Sequence, residues 1–302
     1  MNTLIQLRSG ELRSHEPMSR HVSWRAGGAA RYLYRPVDRA DFISFLRQQP
    51  QESPILVFGL GSNLLVRDGG VEATVIQMHG ALKHVVWESD RCLKVEAGVA
   101  APKVARMVAR AGRSGGEFLA GIPGTMGGAL AMNAGCYGAE TWSFVSAVET
   151  VDRQGRVYRR QPDDYHIGYR SVRLKETLGV QEEWFVAAWL CFPPGDASQA
   201  SAQIRSLLAR RVADQPLNLP NAGSVFRNPP GDYAARLIEA CGLKGLRKGG
   251  AEVSLKHSNF IVNREHATAR DIESLMAEVQ ARVWARYGVS LHPEVCIVGE
   301  PG

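Results

Sequence analysis

Two glycine-rich runs carry the clearest chemical signal in the sequence. Residues 120–138 hold six glycines and a proline, Gly121, Pro123, Gly124, Gly127, Gly128, Gly135 and Gly138, with almost no charge. Glycine loses the most backbone freedom on folding and has no side chain to bury, so such a run requires a compensating gain. One gain is the approach of bare backbone N–H groups to an anion, above all the phosphates of a cofactor. The other is close packing of protein against protein, and the residues alone leave both open. The second run, Gly59-Leu60-Gly61-Ser62-Asn63, follows a short apolar segment and offers a nest of N–H groups flanked by a hydroxyl and an amide. It is not a dinucleotide fingerprint of the Rossmann kind. Leu64 stands where a third glycine belongs, a strand-like segment follows instead of a helix, and no acidic partner for a ribose is evident about 20 residues on.

With 302 residues the chain is long enough for two domains. Hydrophobic residues at 45% and charged ones at 22% place it among ordinary globular proteins. The net charge of +6 is dispersed over the sequence, which fits an anionic small-molecule site and argues against nucleic acid. Cys92, Cys136, Cys191, Cys241 and Cys296 are far apart, odd in number and form no C-x-x-C. This spacing predicts no disulfide framework, no zinc site and a reducing cytoplasm. No His, Cys and carboxylate spacing suggests any other metal. Arg8, Glu11 and Arg13 interrupt the N-terminal region, and no apolar run reaches membrane-spanning length, so neither a secretion signal nor membrane insertion is expected. Nothing in the composition calls for an obligatory protein partner.

Periodicity and punctuation set the elements that must position these runs. A polar leader covers 1–18. A strand at 29–34 leads into a helix capped by Asp38, and strands follow at 55–58 and 64–66, giving a small βαβ-like opening. Strands are expected at 74–77, 85–88 and 93–96, then a helix with Pro102 in its first turn that ends at Gly112. Residues 147–152 and 157–160 read as a hairpin and 184–192 as a long strand, with a short polar segment over 163–173 between them. Pro193, Pro194 and Gly195 form the strongest boundary in the chain. Beyond it come helices at 198–211 and 233–241, strands at 224–226, 251–254 and 259–262, and a last helix capped by Thr268 with Asp271 three residues on.

Several segments together, Trp24-Arg25-Ala26-Gly27-Gly28, the runs at 57–63, 120–128 and 132–138, Tyr169-Arg170-Ser171, residues 223–229, 249–254 and 257–263, and Pro293-Glu294-Val295, resemble in order and spacing the UDP-N-acetylenolpyruvoylglucosamine reductase (MurB) family. The resemblance spans nearly the whole chain from about residue 19, and its compact C-terminal part is similar to the shorter subclass. It implies an α+β fold: a two-lobed FAD-binding domain of the vanillyl-alcohol-oxidase (PCMH) type over 19–194, with lobes at about 19–80 and 81–194, and a smaller α+β substrate domain over 195–302. It also implies FAD as cofactor, NADPH as hydride donor and a UDP-sugar as substrate.

By the same resemblance Gly59, Leu60, Gly61, Ser62, Asn63 and Leu64, with Gly121, Ile122, Pro123, Gly124, Thr125, Gly127, Gly128, Asn133 and Gly135, bind the cofactor. Arg170, Ser224 and Glu294 match the family's catalytic residues. Hydride addition to an enolpyruvyl double bond leaves negative charge on the carboxylated carbon, and the planar fork of an arginine suits that enolate and its carboxylate. Ser224 matches the proton donor. Glu294 matches the glutamate that assists the carboxylate, a task that requires a shared proton. Asn228, Arg227, Arg211 and Asn259 are the candidates for holding the substrate, with His257 as either a cleft residue or a packed histidine. Two other readings fit the same residues: a different flavin-dependent oxidase or dehydrogenase on this fold, and a nucleotide-binding protein without catalysis.

Overall fold

The computed structural model describes residues 9–180 and 182–302. In chain order the elements are β1 (Glu11–Pro17), β2 (Ala29–Arg35), α1 (Arg39–Gln48), β3 (Ile55–Phe58), β4 (Leu64–Val66), β5 (Val71–Gln77), β6 (Val85–Trp87), β7 (Cys92–Glu96), α2 (Ala101–Arg110) and α3 (Met126–Ala131). Next come the short pair β8 (Gly135–Cys136) and β9 (Ala139–Glu140), then β10 (Val145–Asp152), β11 (Val157–Arg160), β12 (Tyr165–Gly168), β13 (Ser171–Leu174) and β14 (Glu183–Cys191). The remainder is α4 (Ala197–Asp214), α5 (Ala234–Ala240), β15 (Arg247–Lys248), β16 (Ala251–Val253), β17 (Ile261–Asn263), α6 (Ala269–Tyr287) and β18 (Cys296–Val298). The first eight residues of the expected leader lie outside the described residues, and its later part is strand β1. Among the described residues no helix is long and apolar enough to cross a membrane.

The chain forms two compact units assembled from interleaved segments. Among the described residues the first comprises 9–13, 33–59 and the segment from 74 to 209, the second 14–32, 60–73 and 210–302. In the first unit a five-stranded sheet runs in the order β11-β10-β14-β7-β6. Its inner face and helix α2 bury Leu93, Val95, Val104, Val108, Val148, Leu190 and Phe192 in one core. A second core gathers Tyr34, Phe42, Phe45, Ile76, Leu82 and Val186. Helix α1 starts as its sequence dictates, with Asp38 Oδ1 accepting from the Asp41 N–H at 2.8 Å.

Cysteine spacing misled on one point. Cys92 and Cys191 stand directly opposite each other on antiparallel β7 and β14 and are joined as a disulfide. Their sequence separation of 99 hides a juxtaposition that only strand register creates. Cys241 and Cys296 are free thiols.

The second unit is held by a different non-local pairing. Strand β4 lies parallel to β18, matching Leu64 to Cys296 and Val66 to Val298. Helix α6 buries Ile272, Leu275, Met276, Val279 and Val283 along one stripe, together with Trp24, Leu65, Val225, Phe226 and Leu237. Each such aliphatic side chain contributes about 1.5–3 kcal/mol when fully buried. The expected capping box is present: Thr268 Oγ1 accepts from the Asp271 N–H, and Asp271 Oδ2 from the Thr268 N–H, both at 3.0 Å. The Asp68 carboxylate adds two more acceptors, for the Ala269 and Arg270 N–H groups at 2.9 Å.

The WRAGG-type motif has a packing explanation in this unit. Trp24 is fully buried and its Nε1 donates to Ile261 O at 2.8 Å, while Asn263 Nδ2 donates to Trp24 O at 2.9 Å. Gly27 has φ +112°, and a Cβ there would come within 2.2 Å of Val66 O.

Candidate functional site

The structure answers the question left open by the glycine runs differently for different glycines. In the first unit a Cβ on Gly59 would lie 2.1 Å from Thr125 Oγ1, so the two runs touch where Gly59 meets Thr125. A Cβ on Gly121 would meet Cys136 Sγ at 2.8 Å and the Tyr137 ring at 2.9 Å, and one on Gly127 would meet Ala97 Cβ at 3.0 Å. In the second unit Gly61 has φ +63° and its missing Cβ makes room for His21 O. Close packing therefore favours glycine at these positions, independent of any ligand, most strongly at Gly61, where the clash would be with backbone.

What packing does not consume is the N–H groups. Among the described residues, no backbone N–H of residues 59–63 donates to a protein acceptor, and neither does that of Gly124 or Thr125. The neighbouring Met126 and Gly127 N–H groups are spent, on Val99 O and Ala97 O at 2.8 Å. In the second unit the unengaged donors at 60–63, and in the first unit those at Gly124 and Thr125, each suit an anionic group.

Arg170 is placed by local geometry that sequence reading took as a plain polar segment. Residues 165–174 form the hairpin β12–β13, with Gly168 paired to Ser171 and Tyr169-Arg170 as the two loop residues. Arg170 has φ +53°, a left-handed conformation that L side chains enter at a cost. Its guanidinium is aimed back at the glycine run: NH2 donates to Gly135 O at 2.8 Å and NH1 to Asn133 O at 3.3 Å. It also stacks on the Tyr169 ring, 4.9 Å from the centroid. Behind the hairpin Tyr165 packs on Trp142 and donates its hydroxyl proton to Glu183 Oε1 at 2.7 Å. Burial first and that carboxylate second hold the Tyr165 phenol far above its usual range.

In the second unit Ser224 and Glu294 are brought together by main chain. The expected strand at 224–226 is an extended segment with a single bridge, Phe226 to Pro293, because it has one partner residue in place of a ladder. Glu294 N donates to Val225 O at 2.8 Å, and Arg227 N to His292 O at 2.9 Å. Ser224 is half-buried and follows Gly223, which has φ +77° and open space around it. Two asparagines clamp this arrangement. Asn259 Oδ1 accepts from Phe226 N at 3.0 Å and its Nδ2 donates to Phe226 O at 2.8 Å. Asn63 Nδ2 donates to Glu294 O at 3.1 Å, and Asn63 O accepts from Cys296 N at 2.9 Å.

These contacts sort the remaining sequence candidates. Asn259 is 4% exposed and both its polar atoms are committed to the Phe226 backbone. Asn228 Oδ1 accepts from Ala234 N at 3.1 Å and so holds the start of α5. Arg211 Nε donates to Gln215 Oε1 at 3.0 Å. The Arg227 Nε is buried without a protein partner, a donor still to be satisfied. His257 is the packed alternative: its ring meets Phe260 edge-on at 4.7 Å and its Nδ1 accepts from the Asn259 N–H at 3.3 Å. Burial first, then the nearby Lys244 charge, pull its pKa below the ordinary histidine value. Sequence reading missed the clamping roles of Asn63 and Asn259; an asparagine's partners are invisible until distant backbone is in place.

The chain is similar to known proteins over nearly its whole length. Residues 30–160 match the FAD binding domain family, and residues 215–298 match the family described as UDP-N-acetylenolpyruvoylglucosamine reductase, C-terminal domain. The chain is 55% identical to the UDP-N-acetylenolpyruvoylglucosamine reductase of Thiobacillus denitrificans, over 96% of this chain and 93% of that protein. It is 54% identical to the protein of the same name from Alkalilimnicola ehrlichii, over 98% of this chain and 97% of that one. Among solved structures, UDP-N-acetylenolpyruvylglucosamine reductase from Thermus caldophilus superposes with a TM-score of 0.80 at 32% identity, covering 96% of this chain and 98% of that one.

Proposed function

We infer, because the chain belongs to the UDP-N-acetylenolpyruvoylglucosamine reductase family, that it uses NADPH to reduce the enolpyruvyl ether of UDP-N-acetylglucosamine, forming UDP-N-acetylmuramate for peptidoglycan synthesis. It is an FAD-dependent oxidoreductase with an α+β fold containing an FAD-binding domain. FAD, when bound, supplies the hydride carrier between the two substrates. Unengaged backbone N–H groups, at 60–63 in the second unit and at Gly124 and Thr125 in the first, are donors of the kind an anionic cofactor takes, which supports assigning each of these stretches to the cofactor.

The protein's own residues handle charge and protons. Reduction of the double bond places hydride on one carbon and negative charge on the carboxylated carbon beside it. Arg170 supplies a fixed positive fork for that charge, and its left-handed turn position restricts where the fork can point. Ser224 gives a proton to the carboxylated carbon and completes the saturated ether. Glu294 assists the substrate carboxylate by sharing a proton, and its backbone is held by its N–H donating to Val225 O and by the Asn63 side-chain amide donating to its carbonyl. Arg227, with a buried donor still unpaired, is the best-supported substrate contact among the four sequence candidates. Because NADPH and nucleotide-activated sugars are cytoplasmic metabolites, the reaction belongs in the cytoplasm.

Near-full-length identity to the reductases, joined to the unengaged N–H groups, carries this reading. Anaerobic spectroscopy tests it. Purified protein should carry yellow FAD that bleaches on adding NADPH and recovers its oxidised spectrum on adding UDP-N-acetylenolpyruvoylglucosamine. A reduced flavin that the enolpyruvyl substrate leaves bleached would exclude the activity.

A further inference from the structure

The Asn133 side chain makes three hydrogen bonds within the protein. Its Nδ2 donates to Glu140 Oε2 at 2.8 Å and to Gly168 O at 3.2 Å, which uses both amide hydrogens. Its Oδ1 accepts from Trp142 N at 3.1 Å. The residue is 2% exposed and has φ +40°, a left-handed conformation that asparagine tolerates better than most residues. With both donors committed, the amide is not available to a cofactor.

What the side chain does hold is the mounting of Arg170. Gly168 O, which receives one amide hydrogen, is the carbonyl immediately before the two-residue turn that carries Arg170. Asn133 O, on the same residue, receives a guanidinium hydrogen of Arg170, and Gly135 O receives another. Asn133 therefore grips the turn from both ends, at its entering strand and at the arginine's terminal nitrogens. Trp142, which anchors the amide oxygen, is itself fixed in the core by Nε1 donating to Leu130 O at 2.8 Å. A strained turn at a hairpin tip has alternatives of comparable energy, and this grip selects one of them.

We propose that Asn133 is a positioning residue for Arg170, holding the guanidinium in the direction needed for enolate stabilisation through the Gly168 carbonyl and its own. The proposal rests on the role assigned to Arg170 above and reassigns Asn133 from cofactor contact to support of the reduction step.

Asn133→Gly keeps the left-handed backbone and the carbonyl while deleting all three side-chain bonds. Stopped-flow measurement separates flavin reduction by NADPH from flavin reoxidation by UDP-N-acetylenolpyruvoylglucosamine. The variant should keep its FAD and reduce it within roughly two-fold of the wild-type rate, while reoxidation slows on the order of ten- to a hundred-fold. In an Arg170→Ala background the same change should slow reoxidation no further. Asn133→Asp, which keeps the acceptor for Trp142 N and loses both donors, should show the same split and serves if the glycine variant does not fold. Reoxidation at the wild-type rate, equal slowing of both half-reactions, loss of FAD, or additive losses in the double variant would each overturn the proposal. If Arg170→Ala alone leaves reoxidation unchanged, it is the assignment of Arg170 that fails.

Discussion

Ser224 and Glu294 are held by main chain, whereas Arg170 is held by its own side chain. Around the first pair, Val225 and Phe226 are buried at 0% and 2% exposure, and their backbone bonds run to Glu294 N and Asn259. Arg170 sits at a hairpin tip beside Tyr169, which is 46% exposed, and its direction depends on carbonyls 35 and 37 residues away in sequence. The two arrangements suit different chemistry. For the roles proposed above, Ser224 and Glu294 are fixed by buried backbone, while the direction of the Arg170 fork is set by a few hydrogen bonds that a single substitution can loosen.

Substitutions can break or sharpen this contrast. The largest stability effect should come from the covalent tie in the first unit. For Cys92 and Cys191, 99 residues apart, the chain-entropy account puts the gain at up to about 4–5 kcal/mol. Cys191→Ser should lower the melting temperature of air-oxidised protein and leave that of reduced protein nearly unchanged. Because the tie joins β7 to β14 and not the β12–β13 hairpin, the rate of substrate reduction should be the same in both redox states.

Arg170→Ala should cost about 10²–10³-fold in substrate reduction, the range for losing one preorganised charge-stabilising donor, or about 3–4 kcal/mol of barrier. Its melting temperature should fall little, since the residue is at an exposed turn. Asn259→Ala should do the reverse of that balance. It strands the buried N–H and C=O of Phe226 at about 1–3 kcal/mol each, so chemical denaturation should show a loss of roughly 2–6 kcal/mol. A variant that kept full stability and lost only turnover would show that Asn259 contacts substrate instead.

The smallest effect is a slope. His257 is held neutral by burial, so its folded pKa lies below the ordinary histidine value. The unfolded chain then binds more protons between those two values, and the stability that the neutral ring contributes is lost as pH falls through the ordinary histidine range. Wild-type melting temperature should therefore decline more steeply below neutral pH than that of His257→Asn. Parallel curves would mean that the ring protonates as freely when folded as when unfolded.

Much of the local structure was legible because its causes are local. Asp38, and Thr268 with Asp271, cap helices by reaching three residues along the chain, and the stripe from Ile272 to Val283 repeats at the helical period. The hairpin at 165–174 was not legible, since its turn carries Tyr169-Arg170 in place of the glycine or asparagine that marks such turns. The extended segment at 224–226 looked like a strand because Val225 and Phe226 are apolar, yet it has one bridge in place of a sheet.

The sequence by itself determined where glycine-rich runs offer backbone donors and which helices begin where, and its motifs resemble the family to which the chain belongs. Tertiary structure alone decided which glycines serve packing, which asparagines are already spent, and that Cys92 meets Cys191 and Leu64 meets Cys296. The physical reason is range. Caps and periodic faces are settled within a turn or two of helix, whereas strand register and the partners of a buried amide depend on chain segments brought together from hundreds of residues apart.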